Sequence, residues 1–358
     1  MHSDLDSFCI GLGKTIGEAA ALMDRNALRI VLVVDHERRL AGTVTDGDMR
    51  RALLAHLDMS QSVTVLLERK AGSQYARPIT ALVEADRNTY LRLLQQHNLL
   101  HLPILDEKQR VVGLVTLDEF VPSQVLRLQA VIMAGGRGTR LHPLTEHMPK
   151  PMLPVGDRPL LEIIIEQLRN SGIKRVNVTT HHNGEKIAEH FGDGRDFGVE
   201  LTYVAEDRPL GTAGGLGLLE PPKETILVMN GDILTQLNFQ AMLAFHRAQG
   251  ADLTVAVRRY DTQIPFGVIE CEGAAVRRLT EKPLLSFFVN AGIYLLEPIV
   301  YRYLPSGEPC DMTDLIQRLL DHGRPVVSFP IREYWLDIGQ PADYEQAQAQ
   351  AKIWKSRP

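Results

Sequence analysis

A glycine-rich turn that follows a short apolar run is the feature that most restricts what this chain can fold into. The run Val131 to Ala134 is typical of a buried strand, and Gly135, Gly136, Gly138 and Thr139 follow it closely. Glycines let the backbone adopt positive φ and approach a ligand with no Cβ in between. Successive backbone N–H groups in such a turn form a concave anion site. We therefore predict that Ala134 and the four positions of the turn bind a phosphate-rich ligand.

Two cations accompany this turn in the sequence. Arg140 lies inside it, and Lys150 stands between Pro149 and Pro151, which fix φ on either side of the lysine. The turn is not a P-loop, because the spacing GxxxxGK[ST] does not occur. It is not a dinucleotide fingerprint either, because Leu141 stands where the third glycine of G-x-G-x-x-G is needed. The phosphate site predicted here is therefore of another kind.

Length and composition exclude several classes of protein. A chain of 358 residues is long for one hydrophobic core and favours about two domains. The net charge of −5 gives no basic surface that would indicate nucleic acid binding. The three cysteines form no CxxC pair, which fits a reducing compartment, and no stretch indicates a signal peptide or a membrane span. We therefore expect a cytoplasmic protein that binds neither membrane nor nucleic acid.

The residues GGxGTRLxPLT (135–145) and PKPMLPV (149–155) resemble the signature of sugar-1-phosphate nucleotidyltransferases. These enzymes join a nucleoside triphosphate to a sugar phosphate and release pyrophosphate. After the signature, predicted helices (159–172 and 185–191) alternate with predicted strands (175–180 and 200–204). This alternation is typical of an α/β fold with a doubly wound, mainly parallel sheet. The resemblance assigns residues 130–358 to a Rossmann-like nucleotidyltransferase domain.

The first third of the chain contains an internal repeat. Residues 33–48 match residues 104–119 at a constant offset of 71 positions, with Asp35 on Asp106 and Gly42 on Gly113. Each copy predicts strand, turn, strand and helix, preceded by another helix at 16–26 or 88–98. Two copies of one small unit favour a pseudo-symmetric pair that shares a core. The pair resembles a small α+β tandem of cystathionine-β-synthase-type (CBS) domains, which we assign to residues 1–122, with a linker at 123–129.

The resemblance to CBS domains implies a second ligand. In that family a threonine and an acidic residue three positions later hold the ribose of an adenine nucleotide, and Thr45 with Asp48 and Thr116 with Glu119 match the pattern. A carboxylate is suited to this role because it accepts hydrogen bonds from ribose hydroxyls. The alternative is that the pair mediates dimerisation and binds nothing. The sequence leaves both open, and a homo-oligomer is expected in either case.

The resemblance to nucleotidyltransferases assigns roles along the rest of the chain. Asp232 follows a predicted strand, and it would hold Mg²⁺ together with Asp337, because carboxylates are hard oxygen ligands. The predicted catalytic residues are Arg140, Lys150, Asp232 and Lys282, of which Lys282 meets the sugar phosphate. The other predicted contacts are Leu210, Gly211 and Thr212 for the base of the nucleotide, and Gly267, Glu281, Asn290 and Gly292 for the sugar.

The expected reaction is attack of a sugar-1-phosphate oxygen on the α-phosphorus of the triphosphate. No strong base is needed, because a phosphate monoester has a second pKa of about 6. A CBS pair followed by this domain resembles the glucosamine-1-phosphate guanylyltransferases of legionaminic acid biosynthesis, which favours GTP and glucosamine 1-phosphate. The alternatives are a mannose- or glucose-1-phosphate nucleotidyltransferase using GTP, dTTP or UTP, and a non-catalytic nucleotide-sensing protein. A non-catalytic protein would be expected to lack Arg140, Lys150, Asp232 or Asp337, and all four residues are present.

Overall fold

The structure, a computed structural model, describes residues 1–26, 28–72, 76–97, 99–120, 126, 128–136, 138–181, 183–305 and 307–355. The chain separates into two compact units, Met1–Gln124 and Val125–Pro358. Positions 123–125 and 127 of the predicted linker lie outside the described residues, whereas Gln129 begins a strand. None of the helices in the described part of the chain is long and apolar enough to cross a bilayer.

Two three-stranded sheets repeat one arrangement in the first unit. In each, the first strand runs parallel to the second and the second antiparallel to the third. The strands are β1 (Cys9–Gly11), β2 (Ile30–Val34), β3 (Leu40–Thr45), β4 (Ala81–Leu82), β5 (His101–Leu105) and β6 (Val111–Thr116). The helices are α1 (Ile16–Asn26), α2 (Asp46–Leu54), α3 (Thr64–Lys70) and α4 (Arg87–Gln96).

The two copies form the predicted pseudo-symmetric pair. The Asp35 carboxylate accepts a hydrogen bond from the Arg39 backbone N–H at 2.9 Å, and Asp106 does the same for Arg110 at 2.9 Å. One hydrophobic cluster takes residues from both copies, which confirms that they share a core: Phe8, Ile30, Leu32, Val34, Leu105, Val111 and Leu114.

The copies differ after their last strand. The first continues into α2, whereas Leu117–Glu119 of the second form a short 3₁₀ turn. The rest of the helix predicted there would fall on residues 121–125, which lie outside the described residues.

A seven-stranded sheet forms the centre of the second unit. Its strands are β7 (Gln129–Met133), β10 (Arg175–Thr180), β11 (Glu200–Ala205), β12 (Ile226–Asn230), β14 (Leu253–Gln263), β17 (Leu284–Leu296) and β18 (Val326–Pro330). Their order in the sheet is β11-β10-β7-β12-β17-β14-β18, and β17 runs antiparallel to its two neighbours while the other pairs are parallel. The mainly parallel sheet is therefore confirmed.

Helices cover both faces of this sheet, as the doubly wound fold requires. The helices are α5 (Leu160–Asn170), α6 (Gly184–Phe191), α7 (Gly211–Gly214), α8 (Phe239–Gln249), α9 (Met312–Asp321) and α10 (Pro341–Lys355). Ala130 and Ile132 of β7 pack into a core formed with α5, α6, α8 and α10, and Val131 packs on the opposite face with α7 and α9. The short strands are β8 (Pro154–Val155), β9 (Arg158–Pro159), β13 (Ile233–Thr235), β15 (Val268–Glu272), β16 (Ala275–Thr280) and β19 (Trp335–Asp337).

Strands β14 and β17 extend past the sheet. Their pairing continues from Arg258↔Val289 to Gln263↔Leu284, whereas β14 pairs with β18 over Leu253 to Val257. Strands β15 and β16 lie between β14 and β17 in the sequence, and they pair with each other as a separate two-stranded sheet. We call residues 258–290 the arm.

Candidate active site

The predicted phosphate site lies at the carboxyl ends of β7 and β12, where ligands bind in open α/β sheets. Two adjacent cavities of about 280 Å³ and 220 Å³ share Gly136, Lys150 and Asp232 in their walls. Arg140 and Gly339 line the first, and Glu206 and Thr212 line the second. A larger cavity of about 520 Å³ lies near the amino ends of the same strands and contains none of the predicted site residues.

The three glycines of the turn differ in their backbone conformation and in what surrounds them. Gly138 has φ 63°, a conformation that favours glycine. Positive φ is not observed at Gly135 or Gly136. Instead, a Cβ on Gly135 would lie 3.3 Å from the Glu206 carboxylate, whereas one on Gly136 would meet nothing within 4 Å. Gly136 therefore leaves backbone open to a ligand, and Gly135 makes room for a side chain.

The Pro-Lys-Pro segment holds a buried cation at the strand ends. Lys150 is 8% exposed, and its Nζ donates a hydrogen bond to Asp232 and lies 4.0 Å from Asp337 Oδ1. Gly231 allows this packing, because a Cβ there would lie 3.2 Å from Pro151 Cγ. The ammonium group is thus fixed between two carboxylates and faces the cleft.

A short antiparallel ladder brings the two aspartates together. β13 pairs with β19 so that Ile233 lies opposite Asp337, and the Ile338 N–H donates to the Asp232 carbonyl at 3.1 Å. Asp232 follows β12 directly, whereas Asp337 comes from near the carboxyl end of the chain. Their proximity is therefore a property of the fold and not of local sequence.

The two carboxylates fit a divalent cation. Oδ1 of Asp232 and Oδ1 of Asp337 are both buried and have no hydrogen-bond partner within the described residues. Burial raises the pKa of Asp337, the Asp232 charge raises it further, and Lys150 and Arg140 offset part of this. A cation between the aspartates would satisfy both oxygens and relieve their repulsion. Mg²⁺ is held by one or two carboxylates plus substrate phosphates, which matches a pair.

Glu206 is a site residue that the sequence reasoning missed. It is 9% exposed, and its Oε2 accepts a hydrogen bond from the Leu210 N–H at 3.1 Å. Its Oε1 faces glycine, since Cβ atoms on Gly135 and Gly215 would lie 3.3 Å and 2.7 Å from it. Its position two residues after the predicted strand 200–204 was a signal, because strand ends line the ligand cleft in this kind of sheet.

The predicted base-contacting segment is anchored to α9. The Thr212 hydroxyl accepts from the Met312 N–H at 2.8 Å and bonds Asp311 Oδ1 at 3.2 Å. Gly211 has φ 78°, and a Cβ there would lie 2.7 Å from Asp311. The Leu210 side chain is 2% exposed. Hydrogen bonds within the chain thus already engage the backbone N–H groups of Leu210 and Thr212 and the Thr212 hydroxyl, and they fix the shape of this segment.

The predicted sugar contacts lie on and beside the arm. A Cβ on Gly267 would lie 2.9 Å from Glu281 Oε2, so these two residues are adjacent. The side-chain Oδ1 of Asn290 accepts a hydrogen bond from the Gly292 N–H at 3.0 Å, and a Cβ on Gly292 would lie 2.6 Å from Asn230 Nδ2. Lys282 is exposed and has φ 45°. Gly292 thus lies beside Asn230 at the end of β12, and Asn290 is the last residue of the arm next to it, whereas Glu281 and Lys282 lie within the arm.

The acids predicted to bind ribose in the first unit already have partners within that unit. Asp48 is 4% exposed and accepts from the Thr45 N–H and hydroxyl, both at 2.8 Å, and from Lys70. Burial alone would raise the pKa of Asp48, but the charge and hydrogen bond of Lys70 and the hydrogen bonds of Thr45 leave it lowered. Glu119 accepts from the Thr116 N–H at 3.0 Å and pairs with the Met1 amino group.

Comparison with known families decides what this arrangement is. A family model described as nucleotidyl transferase matches residues 129–352, which include the glycine turn and both aspartates. The chain belongs to the nucleotidyl transferase family. A CBS domain model matches residues 3–55 and 78–123, so this member carries a tandem CBS pair at its N-terminal end.

The curated relatives of this nucleotidyl transferase are named for different substrates. It is 34% identical over 241 residues to a UTP–glucose-1-phosphate uridylyltransferase of Synechocystis, with 62% of each chain covered. It is 33% identical over 231 residues to a mannose-1-phosphate guanylyltransferase of Mycobacterium tuberculosis, covering 62% of this chain and 64% of the relative. The match thus spans less than two thirds of either relative.

A solved structure supports the fold of the nucleotidyl transferase part. It is a Bacillus anthracis protein described as a glucose-1-phosphate thymidylyltransferase, in complex with sucrose. The TM-score is 0.52 at 28% identity, and the alignment covers 63% of this chain and 95% of that one. Together these relatives are named for uridylyl, guanylyl and thymidylyl transfer, so similarity alone leaves the base and the sugar open.

Proposed function

We propose that this nucleotidyl transferase joins GTP to glucosamine 1-phosphate and releases pyrophosphate. The observation that carries the proposal is the buried Lys150 between Asp232 and Asp337, next to a glycine turn with open backbone at Gly136. A buried cation and exposed backbone amides are what the charge on a transferring phosphoryl group requires.

The proposed reaction forms one P–O bond and breaks another. An oxygen of the sugar phosphate attacks the α-phosphorus, and the bond to the β-phosphate breaks as pyrophosphate leaves with its electron pair. The turn amides and Arg140 bind the β- and γ-phosphates, Lys150 stabilises charge on the α-phosphate, and Lys282 holds the incoming phosphate. Catalysis rests on positioning and electrostatic stabilisation, as in other phosphoryl transfers.

Mg²⁺ is part of the proposal. Asp232 and Asp337 would hold it through the oxygens that have no hydrogen-bond partner in the described structure. When bound, the ion supplies positive charge to the triphosphate. Pyrophosphate release should therefore be abolished by EDTA and restored by excess Mg²⁺.

Glu206 supports guanine as the base. A carboxylate accepts hydrogen bonds and donates none. Guanine offers two adjacent donors on its Watson–Crick edge, N1–H and the N2 amino group, whereas uracil and thymine offer N3–H alone. Because the Glu206 carboxylate is buried at the cleft wall, a base that donates twice to it compensates for its loss of water best.

The test is pyrophosphate release by the full chain, with each of four nucleoside triphosphates crossed with glucosamine, mannose and glucose 1-phosphates. Release confined to GTP with glucosamine 1-phosphate is the expected result. Release with mannose or glucose 1-phosphate, or with UTP or dTTP, would support the alternative substrates instead. If no pair of substrates released pyrophosphate in the presence of Mg²⁺, a non-catalytic nucleotide-sensing protein would be favoured.

We also propose that the CBS pair binds an adenine nucleotide at Thr45 with Asp48 and at Thr116 with Glu119. Because Asp48 is already bonded to Lys70 and Thr45, a ribose must replace some of these hydrogen bonds. Isothermal titration of the full chain with AMP tests this. Weaker binding of AMP to a Thr45→Ala variant would support the site. If the titration gave no heat of binding, a role in dimerisation would remain for the CBS pair.

A further inference from the structure

The cavity of about 520 Å³ at the amino ends of β7, β10 and β12 contains no residue of the proposed reaction. Gln129, Arg175 and Ile226, which pair across these three strands, form part of its wall. β12 is five residues long, so about 13 Å of strand separates this end of the sheet from the candidate active site. Ligand cavities commonly have volumes of about 300–1,000 Å³. This cavity therefore has the size of a ligand site and lies apart from the catalytic one.

Asn177 places an unpaired amide in the wall of this cavity. The residue is 5% exposed, and its Nδ2 has no hydrogen-bond partner among the described residues. It lies inside an apolar strand, where its neighbours Val176 and Val178 pack in the core on the other face. A buried donor without a partner lowers stability, so its presence in a native structure requires an explanation. An acceptor atom of a ligand in the cavity supplies one.

Four charged side chains line the same cavity and are exposed to solvent. None of them forms an ion pair in the part of the chain that the structure describes: Arg175, Lys223, Glu220 and Glu224. Arg175 precedes Asn177 by two positions, so both side chains lie on one face of β10. Guanidinium and ammonium groups bind phosphate, whereas carboxylates accept hydrogen bonds from hydroxyl and amino groups. The balance of charges therefore suits a ligand that carries a phosphate and hydrogen-bond donors together.

The rest of the wall is stiff and partly apolar. Pro221 and Pro222 fix φ at two successive positions, which reduces the entropy lost when a ligand binds. Burial raises the pKa of Tyr301 to about 12, so its hydroxyl stays protonated at neutral pH and can donate a hydrogen bond. Apolar walls with a few polar groups are typical of sites that bind small molecules.

We propose that this cavity, which we call the amino-end site, binds a phosphorylated small molecule that also carries hydroxyl or amino groups. Sugar phosphates and nucleoside monophosphates share this chemistry. Arg175 and Lys223 hold the phosphate, Asn177 donates to a ligand oxygen, and Glu220 and Glu224 accept from hydroxyl or amino groups. No bond is made or broken there, because the reacting phosphates of the proposed transfer lie at the other end of the strands.

Isothermal titration of the full chain with glucosamine 6-phosphate and, separately, with GMP tests the amino-end site. We expect at least one of the two to bind, and the one that binds identifies the source of the phosphate. Arg175→Ala should weaken this binding at least about tenfold, because the phosphate loses a charged donor. Lys174→Ala, a neighbouring exposed lysine that does not line the cavity, is the matched control and should bind as the wild type does.

The variant Lys150→Ala separates the amino-end site from the candidate active site. It removes the buried cation at the carboxyl ends of the strands and leaves the amino ends unchanged. Binding that is sensitive to Arg175→Ala should persist in Lys150→Ala. The titration requires no turnover, so its result stands whether or not the chain releases pyrophosphate. Binding that is lost in Lys150→Ala and kept in Arg175→Ala would belong to the candidate active site and overturn the proposal.

The variant Asn177→Leu separates ligand binding from folding. Leucine has a similar size and no amide, so the Tm of the free chain should stay unchanged or rise, because an unpaired buried donor is removed. Affinity for the ligand should fall at least about tenfold. A lower Tm with unchanged affinity would assign Asn177 to folding and overturn its role in the site. If neither compound bound to the wild type, the cavity would hold water alone and the proposal would be wrong.

Discussion

The proposed phosphate side and the proposed sugar side of the site carry similar chemistry on different supports. Each has a lysine and a carboxylate beside a glycine: Lys150 and Asp232 beside Gly231, and Lys282 and Glu281 beside Gly267. Lys150 is 8% exposed, whereas Lys282 is exposed on the arm. One pair is built on strand ends in the core, and the other on a ribbon of two strands.

This difference predicts how each side contributes to the reaction. Charges fixed in a buried site act on the transition state with little reorganisation. An exposed charge is screened by water and contributes mainly to binding. We therefore expect substitutions on the phosphate side to lower kcat, and substitutions on the sugar side to raise the KM for the sugar phosphate.

The largest effect is expected for Asp232→Asn. The change removes a charge that meets Lys150 and that fits a metal ion with Asp337, while the shape of the side chain is kept. We expect kcat to fall at least about 100-fold with the fold intact, measured by pyrophosphate release and circular dichroism. Asp196→Asn, at an exposed position, serves as the control. Near-normal turnover would remove Asp232 from the mechanism.

Lys150→Ala should lower kcat by a similar factor, at least about 100-fold, because the α-phosphate loses its buried cation. It should also lower the Tm, since Asp232 and Asp337 would face each other without Lys150 between them. Lys174→Ala, an exposed lysine, should change neither. A variant that loses only affinity for the sugar phosphate would contradict the placement of Lys150 on the phosphate side.

The sequence predicts the strands and helices of this molecule better than its contacts. The strand Arg175–Thr180 and the helix Ile16–Asn26 have the predicted bounds, because their apolar residues follow one period throughout. The turn after β6 shows the limit of this reasoning. The repeat argued for a helix there, but Leu117–Glu119 form a 3₁₀ turn where the matching residues of the first copy begin α2.

The phosphate side could be predicted in part. The glycine turn and Lys150 are one local stretch, so spacing alone indicates an anion site. Asp337 came from family resemblance, because its contact with Asp232 depends on the β13–β19 ladder. Glu206 was missed because a single glutamate after a strand has no motif of its own. The exposed face of the arm is also a tertiary property, since alternation does not show which face is covered.

The variant Glu206→Gln tests whether the buried carboxylate determines which base the enzyme prefers. Glutamine keeps an acceptor for the Leu210 N–H but replaces the other acceptor with a donor. We expect kcat/KM for GTP to fall about 10- to 100-fold and kcat/KM for UTP to change less, because two guanine donors lose a partner. Glu189→Gln, exposed on α6, is the control. An equal loss for every nucleotide would assign Glu206 to folding of the Leu210 segment instead.

The smallest effect is expected on the sugar side. Lys282→Ala should raise the KM for the sugar phosphate about tenfold and change kcat and the KM for the triphosphate by less than about twofold, because an exposed cation contributes uniform binding. Varying each substrate in turn separates these constants, and Lys174→Ala again serves as the control. If kcat fell as far as in Lys150→Ala, Lys282 would have to be buried against the reacting phosphates in the complex. The arm would then close over the substrate, and the contrast between the two sides would hold for the free chain alone.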